Sequence, residues 1–164
     1  MRNARRVLLP SGPPIEAVYR LQQLKRSGIG VMKSLLLVAH GSRREASNDE
    51  VRALIGRLRA AAGSFDHIDC AFLELAQPSI PDGLRQAIVR GASEVVVLPY
   101  FLSAGRHVVT DIPAEIEPVR QEYPTVDIYL APYLGAAEGV VGLLIEQASR
   151  TINDYPAKTV VRPD

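Results

Sequence analysis

Two histidines, one glutamate and three arginines carry most of the chemistry this sequence could do. His40 lies in Ala39-His40-Gly41-Ser42-Arg43-Arg44, and His107 closes Ser103-Ala104-Gly105-Arg106-His107. Imidazole is the commonest transition-metal ligand and the usual proton carrier near neutral pH. Two imidazoles with the carboxylate of Glu74 form a donor set that suits a borderline divalent ion such as Fe, Co, Ni or Zn. Each residue also has a plainer reading. His40 could end a strand and His107 open a helix with no ligand at either, and Glu74 could make a surface ion pair. Gly41 and Gly105 could simply serve tight turns. Arg43, Arg44 and Arg106 could be solvated, but guanidinium forks are also well matched to carboxylates. With Ser42, Ser103 and Gly105 they form the candidate binding set for an anionic substrate.

These residues matter only if the fold brings them together. Residues 35–39, Leu-Leu-Leu-Val-Ala, read as a strand buried on both faces. Apolar residues at 51, 54, 55 and 58 predict a helix over 50–62, stopped by Gly63. A second strand is expected over 68–75, a helix over 78–90 stopped by Gly91, and a third strand over 94–99. The next helix is expected over 111–123, with Asp111 as N-cap, Pro113 in the first turn, and a kink or early break at Pro118. A fourth strand (126–131) and a last helix (136–152) complete a β-α-β-α-β-α-β-α order. That alternation predicts an α/β fold, a small four-stranded parallel sheet with helices on both faces. In open sheets of this kind ligands bind beyond the carboxyl ends of the strands. His40, Glu74 and His107 all fall at that end. His67, ahead of the second strand, belongs at the other, and Cys70 reads as apolar filler. Two exposed sheet edges in so small a fold predict pairing with a second copy.

Composition narrows the field. The 164 residues are 47% apolar and 23% charged, which is ordinary for a globular chain that buries a core. One cysteine permits no internal disulfide and fits a reducing, cytoplasmic setting. The apolar run 35–39 is far short of the roughly 20 residues a membrane-spanning helix needs. Residues 1–32 hold six basic side chains and one acid, whereas the rest holds 13 basic and 17 acidic ones. The body is therefore mildly acidic and makes no case for nucleic acid. With the shift in composition at Met32, residues 1–31 are read as an upstream extension of a domain over 32–155. A targeting peptide and a helix packed on the body are the alternatives. Residues 156–164 form a polar tail.

At this point a resemblance becomes visible. Leu37-Val38-Ala39-His40-Gly41-Ser42-Arg43, Phe72-Leu73-Glu74-Leu75, the run from Val97 to His107, and Asp111-Ile112-Pro113 resemble the short-form sirohydrochlorin chelatases of the CbiX type, over about residues 32–149. Family members insert cobalt or iron into sirohydrochlorin, and a related branch uses nickel. The resemblance implies a half-lobe (βα)4 fold that pairs as a homodimer, with His40 and His107 handling the metal and Glu74 matching an acidic site residue of some relatives. It implies sirohydrochlorin and divalent Co or Fe as substrates, and no organic cofactor. The chain departs from the pattern at Leu134-Gly135-Ala136-Ala137-Glu138-Gly139, where many relatives carry a His-Pro pair, and it lacks the histidine-rich tail of some.

Sirohydrochlorin is a tetrapyrrole with eight carboxylate arms and two inner N–H protons. A chelatase must hold the ring, present a partly dehydrated metal and accept the departing protons. The histidines would share the last two tasks with help from Glu74, and the arginines would pair with the arms. Three other readings compete. One is a carrier of tetrapyrrole or metal that does no chemistry. Another is a phosphohydrolase with His40 as nucleophile, disfavoured because Ala39 stands where histidine phosphatases have arginine. The third is a doubly wound interaction module without ligand, which leaves the paired histidines unexplained.

Overall fold

The computed structural model describes residues 31–61 and 63–154. Apart from Val31, the expected N-terminal extension lies outside the described residues, as does the expected tail. In chain order the elements are β1 (Lys33–Ala39), α1 (Glu45–Ala61), β2 (His67–Phe72), α2 (Ile80–Val89), β3 (Glu94–Pro99), α3 (Ile112–Glu122), β4 (Asp127–Leu130) and α4 (Gly139–Asp154). A π-helical turn, His107–Asp111, leads into α3, and a 3-10 turn, Leu134–Ala136, precedes α4. The four strands form one sheet in the order β2-β1-β3-β4, every pair parallel.

The leucine run of β1 explains the central strand. Its side chains alternate between faces, and both faces find a core. Leu36 and Val38 join Ala71, Val95, Val97 and Ile128 beneath α2 and α3, whose Ile80, Leu84, Ile88, Ile112, Ile116 and Val119 are buried there. Leu35, Leu37 and Ile68 face the other way, under Ile55 of α1, with Val51, Leu54 and Leu58 at the margin. Half-buried Cys70 packs at the same margin, as a filler should, and burial pushes its thiol pKa up. Arg85 of α2 reaches across to Glu122 of α3, donating from Nε (2.9 Å) and Nη2 (2.8 Å).

Several boundaries differ from expectation by a few residues, and three of the differences have a visible cause. α1 starts at Glu45 rather than near residue 50, because its first turn is held by polar side chains that no apolar spacing marks. Arg52 bonds Glu45 and Asp49, and that contact holds the Glu45 carboxyl below the usual carboxylate range. β2 ends at Phe72 rather than residue 75, since the chain turns through Leu75 at φ 64°. α3 runs through Pro118 to Glu122. Ala114, whose carbonyl loses its usual partner, is exposed, so water can satisfy it. The stop at Gly91 and the strand over Glu94–Pro99 stand as expected, with Gly91 at φ 104°.

Helix α4 is the odd member. Every side chain from Val141 to Thr151 is exposed, including Val141, Leu143, Leu144 and Ile145.

Candidate metal-handling site

Three loops leave the carboxyl ends of β1, β2 and β3 and converge. The first is anchored by Asn48, an α1 side chain only 1% exposed. Its Oδ1 accepts from Ser42 N–H (2.9 Å), and its Nδ2 donates to the Ser42 carbonyl (2.9 Å) and to Glu45 (3.1 Å). The loop that bears His40 is thus fastened from behind. Truncating Asn48 to alanine strands buried loop amide groups. We predict a loss of about 2 kcal/mol in urea unfolding.

The second loop is laid against the first by backbone bonds. Leu73 N–H donates to the Ala39 carbonyl (2.9 Å) and Glu74 N–H to the His40 carbonyl (3.0 Å). Gly41 permits the approach. It sits at φ 91°, and a β-carbon there would lie 1.8 Å from the Glu74 carbonyl oxygen. From α1, Arg52 also donates to the Gln77 carbonyl (3.2 Å), so it braces the loop that carries Glu74.

The third loop runs through Ser103-Ala104-Gly105-Arg106 into the π-helical turn that presents His107. Such turns occur often at functional sites. Asp111, one helical turn on, accepts from His107 Nδ1 at 2.8 Å. This corrects the expectation for Asp111. It has helical dihedrals and caps no backbone N–H, because helical geometry already begins at His107. Its carboxylate instead orients the imidazole. The i, i+4 spacing of His107 and Asp111 on a helix is the signal that could have revealed this.

The result is a compact donor cluster. One potential ligand atom from each of His40, Glu74 and His107 falls within 4.8 Å of the others. His40 Nε2 lies 3.0 Å from Glu74 Oε1, and the two imidazole rings meet edge to face with centroids 4.9 Å apart. Phe101 backs His40 at 6.5 Å between ring centroids. The side chains of His40, Glu74 and His107 are 44%, 49% and 41% exposed, so the cluster is open to solvent rather than sealed. A structural metal site would be closed and fully ligated.

Hydrogen bonding constrains the protons. His40 Nδ1 faces the Gly41 carbonyl at 3.0 Å, so it carries hydrogen and donates. That leaves Nε2 of a neutral ring with a bare lone pair opposite a carboxylate oxygen. Two acceptors at 3.0 Å need a proton or a cation between them. By the same reasoning His107 donates from Nδ1 to Asp111 and keeps Nε2 for a ligand or a proton.

The other candidates are placed less tightly. The Ser42 hydroxyl accepts from Arg44 N–H (3.1 Å), so it serves the start of α1. Arg43, Arg44, Ser103 and Gly105 are exposed on the first and third loops. Arg106 is exposed too, with Nε 3.4 Å from Asp111. His67 opens β2 at the far end of the sheet, as expected. A shallow depression of about 220 Å³ lies at that far end among Arg59, Asp69 and Arg90, away from the donor cluster. Its charges are already paired, Arg59 and Arg90 both with Asp69.

The sequence profile of CbiX matches residues 34–151. The chain belongs to the CbiX family. It is 33% identical over 133 residues to the sirohydrochlorin ferrochelatase of Priestia megaterium, covering 81% of this chain and 50% of that one. The structure of SirB from Bacillus subtilis with Fe3+ superposes with a TM-score of 0.67 at 30% identity, over 77% of this chain and 48% of that one. A CbiX protein from Marinobacter aquaeolei VT8 gives a TM-score of 0.61 at 30% identity, over 74% of this chain and 98% of that one. Relatives named for cobalt match as well. The chain therefore spans about half the length of the first two relatives and nearly all of the third. The superpositions agree with the parallel sheet and flanking helices expected of a CbiX fold.

Proposed function

We propose that this CbiX-family chain is a sirohydrochlorin chelatase that inserts Co2+ or Fe2+ into the macrocycle, working as a homodimer. The observation that carries the reading is the open cluster of two imidazoles and one carboxylate, three donor atoms within 4.8 Å, at the ligand-binding end of the sheet.

The chemistry requires a transient host. The incoming ion is a substrate that must leave the protein, so a partial, solvent-open donor set is the useful one. His40 Nε2, Glu74 and His107 Nε2 can replace some of its water. When the ion passes to the four ring nitrogens, two N–H protons depart. The vacated imidazole nitrogens and the Glu74 carboxylate are then bases within reach. Asp111 keeps His107 in the tautomer whose Nε2 is free to accept. Exposed Leu75, Leu102 and Val109 surround the cluster's loops and offer apolar surface to the face of a flat ring. Arg43, Arg44 and Arg106 supply cationic partners for its carboxylate arms. The same donors accept either metal, and relatives named for each are known. Both the sirohaem and cobalamin routes are therefore compatible with the site.

The test is insertion itself. Purified protein, sirohydrochlorin and Fe2+ or Co2+ at matched free concentration, under anaerobic conditions, should convert the free-base absorption spectrum to the metallated one over many turnovers. Stoichiometric binding without acceleration over the protein-free rate would make the chain a carrier and sink the proposal.

A further inference from the structure

We infer, resting on the chelatase reading above, that Arg52 of α1 is a positioning residue for the incoming metal and that it acts through Glu74.

The loop that bears Glu74 is anchored differently at its two ends. At its start, the backbone bonds from Leu73 and Glu74 N–H to the Ala39 and His40 carbonyls lay it on the first loop. At its return, Phe72 N–H donates to the Pro78 carbonyl at 2.9 Å and closes the loop on itself. Just before that closure, the Gln77 carbonyl accepts from Arg52 Nη2 at 3.2 Å. Glu74 stands between the two anchorages. The residue after it, Leu75, has φ 64°. A non-glycine residue keeps such a conformation only where its surroundings hold it, so the far anchor matters for where Glu74 points.

Arg52 is equipped to keep that anchor still. Glu45 and Asp49, seven and three residues before it, lie on the same side of α1. Both carboxylates accept from its Nη1, the Asp49 bond at 2.8 Å. Its guanidinium carbon stands 5.4 Å from the centre of the Phe72 ring, so the group also rests on the last residue of β2. The Glu45 carboxylate is shared. Its other oxygen accepts at 3.1 Å from Asn48, the residue that fastens the His40 loop. One carboxylate thus joins the brace of the Glu74 loop to the brace of the His40 loop. Together the braces fix, from behind, the 3.0 Å separation of His40 Nε2 and Glu74 Oε1.

Folding alone does not account for this network. The Arg52 side chain is 39% exposed, and those of Glu45 and Asp49 are 68% and 65% exposed. Ion pairs so open to water contribute little to stability. What they can supply is geometry. Removing a group that orients a metal-facing side chain typically costs about ten- to a hundredfold in metal affinity.

The test uses the full chain and Co2+ alone, followed by titration calorimetry, so that no insertion step enters the reading. Arg52→Ala should weaken Co2+ binding about tenfold, with circular dichroism and the urea midpoint close to wild type. Arg52→Lys keeps the charge but cannot span two carboxylates and a carbonyl at once, so it should lose most of the same affinity. Arg57→Ala, at an exposed position of the same helix, should lose none. The deciding comparison is made in a Glu74→Ala background. There Arg52→Ala should change Co2+ affinity by no more than about twofold, because the brace has no donor left to aim. Additive losses would show a general structural role and overturn the inference. So would wild-type affinity in Arg52→Ala, or a Glu74→Ala variant that binds Co2+ as tightly as wild type. If Arg52→Ala does not fold, Arg52→Lys in the same two backgrounds decides by the same criteria. Binding that follows this pattern in a protein unable to insert metal into sirohydrochlorin sinks only the functional proposal. Insertion by a protein whose Co2+ affinity ignores Arg52 sinks only this one.

Discussion

His107→Ala should lower the insertion rate by about two to four orders of magnitude while leaving the fold intact, the range expected when a positioned acid–base group is lost. The reason is geometric. His107 enters the cluster from the π-helical turn, its side chain is 41% exposed, and its described polar contact is the one to Asp111. Removing the ring therefore costs no core packing, and urea unfolding should change by less than about 1 kcal/mol, as at surface positions generally. The variant loses one donor to the ion and one acceptor for ring protons. Asp111→Asn separates positioning from chemistry. The amide can present a donor as well as an acceptor to Nδ1, so the tautomer that frees Nε2 is no longer enforced. Its rate should fall by about ten- to a hundredfold, the usual loss when the partner of a metal-facing histidine is removed. Steady-state kinetics of insertion for the two variants, with circular dichroism as the folding check, decides the matter. Near-wild-type turnover by folded His107→Ala would remove this residue from the site.

The contrast between those two residues shows what the amino-acid pattern can and cannot reveal. His107 is visible because its type is rare in the chain and it comes after a strand at the ligand-binding end. Asp111 looks like a helix cap in the sequence because the π-helical turn before it leaves no apolar periodicity. Helical backbone thus begins four residues earlier than the pattern suggests. Asn48 escapes notice for a related reason. A buried amide that fastens a loop looks, in one dimension, like any polar residue on an exposed helix face, and only its 1% exposure sets it apart. The strands are legible where both faces are apolar. Glu94–Pro99 needs no adjustment, because Val95-Val96-Val97-Leu98 admits no other buried register. Glu74 is the intermediate case. Alternation along β2 cannot give its direction, since the strand ends at Phe72 and the left-handed turn at Leu75 redirects the chain beside it. Helix α4 is legible as a helix but not in its placement. An amphipathic stripe says that something must cover it, without saying whose surface that is.

Gly41→Ala should be the most damaging single-methyl change at the site. At φ 91° an L side chain is strained even in open space, by roughly 1–2 kcal/mol. Here the space is also taken, because the new β-carbon would stand 1.8 Å from the Glu74 carbonyl oxygen and 3.3 Å from the Phe72 β-carbon. The two loops must separate, and the bonds from Leu73 and Glu74 N–H to the Ala39 and His40 carbonyls lengthen or break. We expect about 3–4 kcal/mol of lost stability in urea titration, combining backbone strain with the disturbed hydrogen bonds. Insertion should fall by about a hundredfold or more in the fraction that stays folded, since a displacement near 1 Å between catalytic groups has that effect. Gly105→Ala is the matched control. It adds the same methyl to another glycine of the site loops, but its β-carbon meets no atom within 4 Å and its φ is not positive. Its stability should stay within about 0.5 kcal/mol of wild type. If both variants behaved alike, the close packing of the His40 and Glu74 loops could not be what holds the donors together. The difference between them therefore measures how far this site depends on backbone contact rather than on the side chains alone.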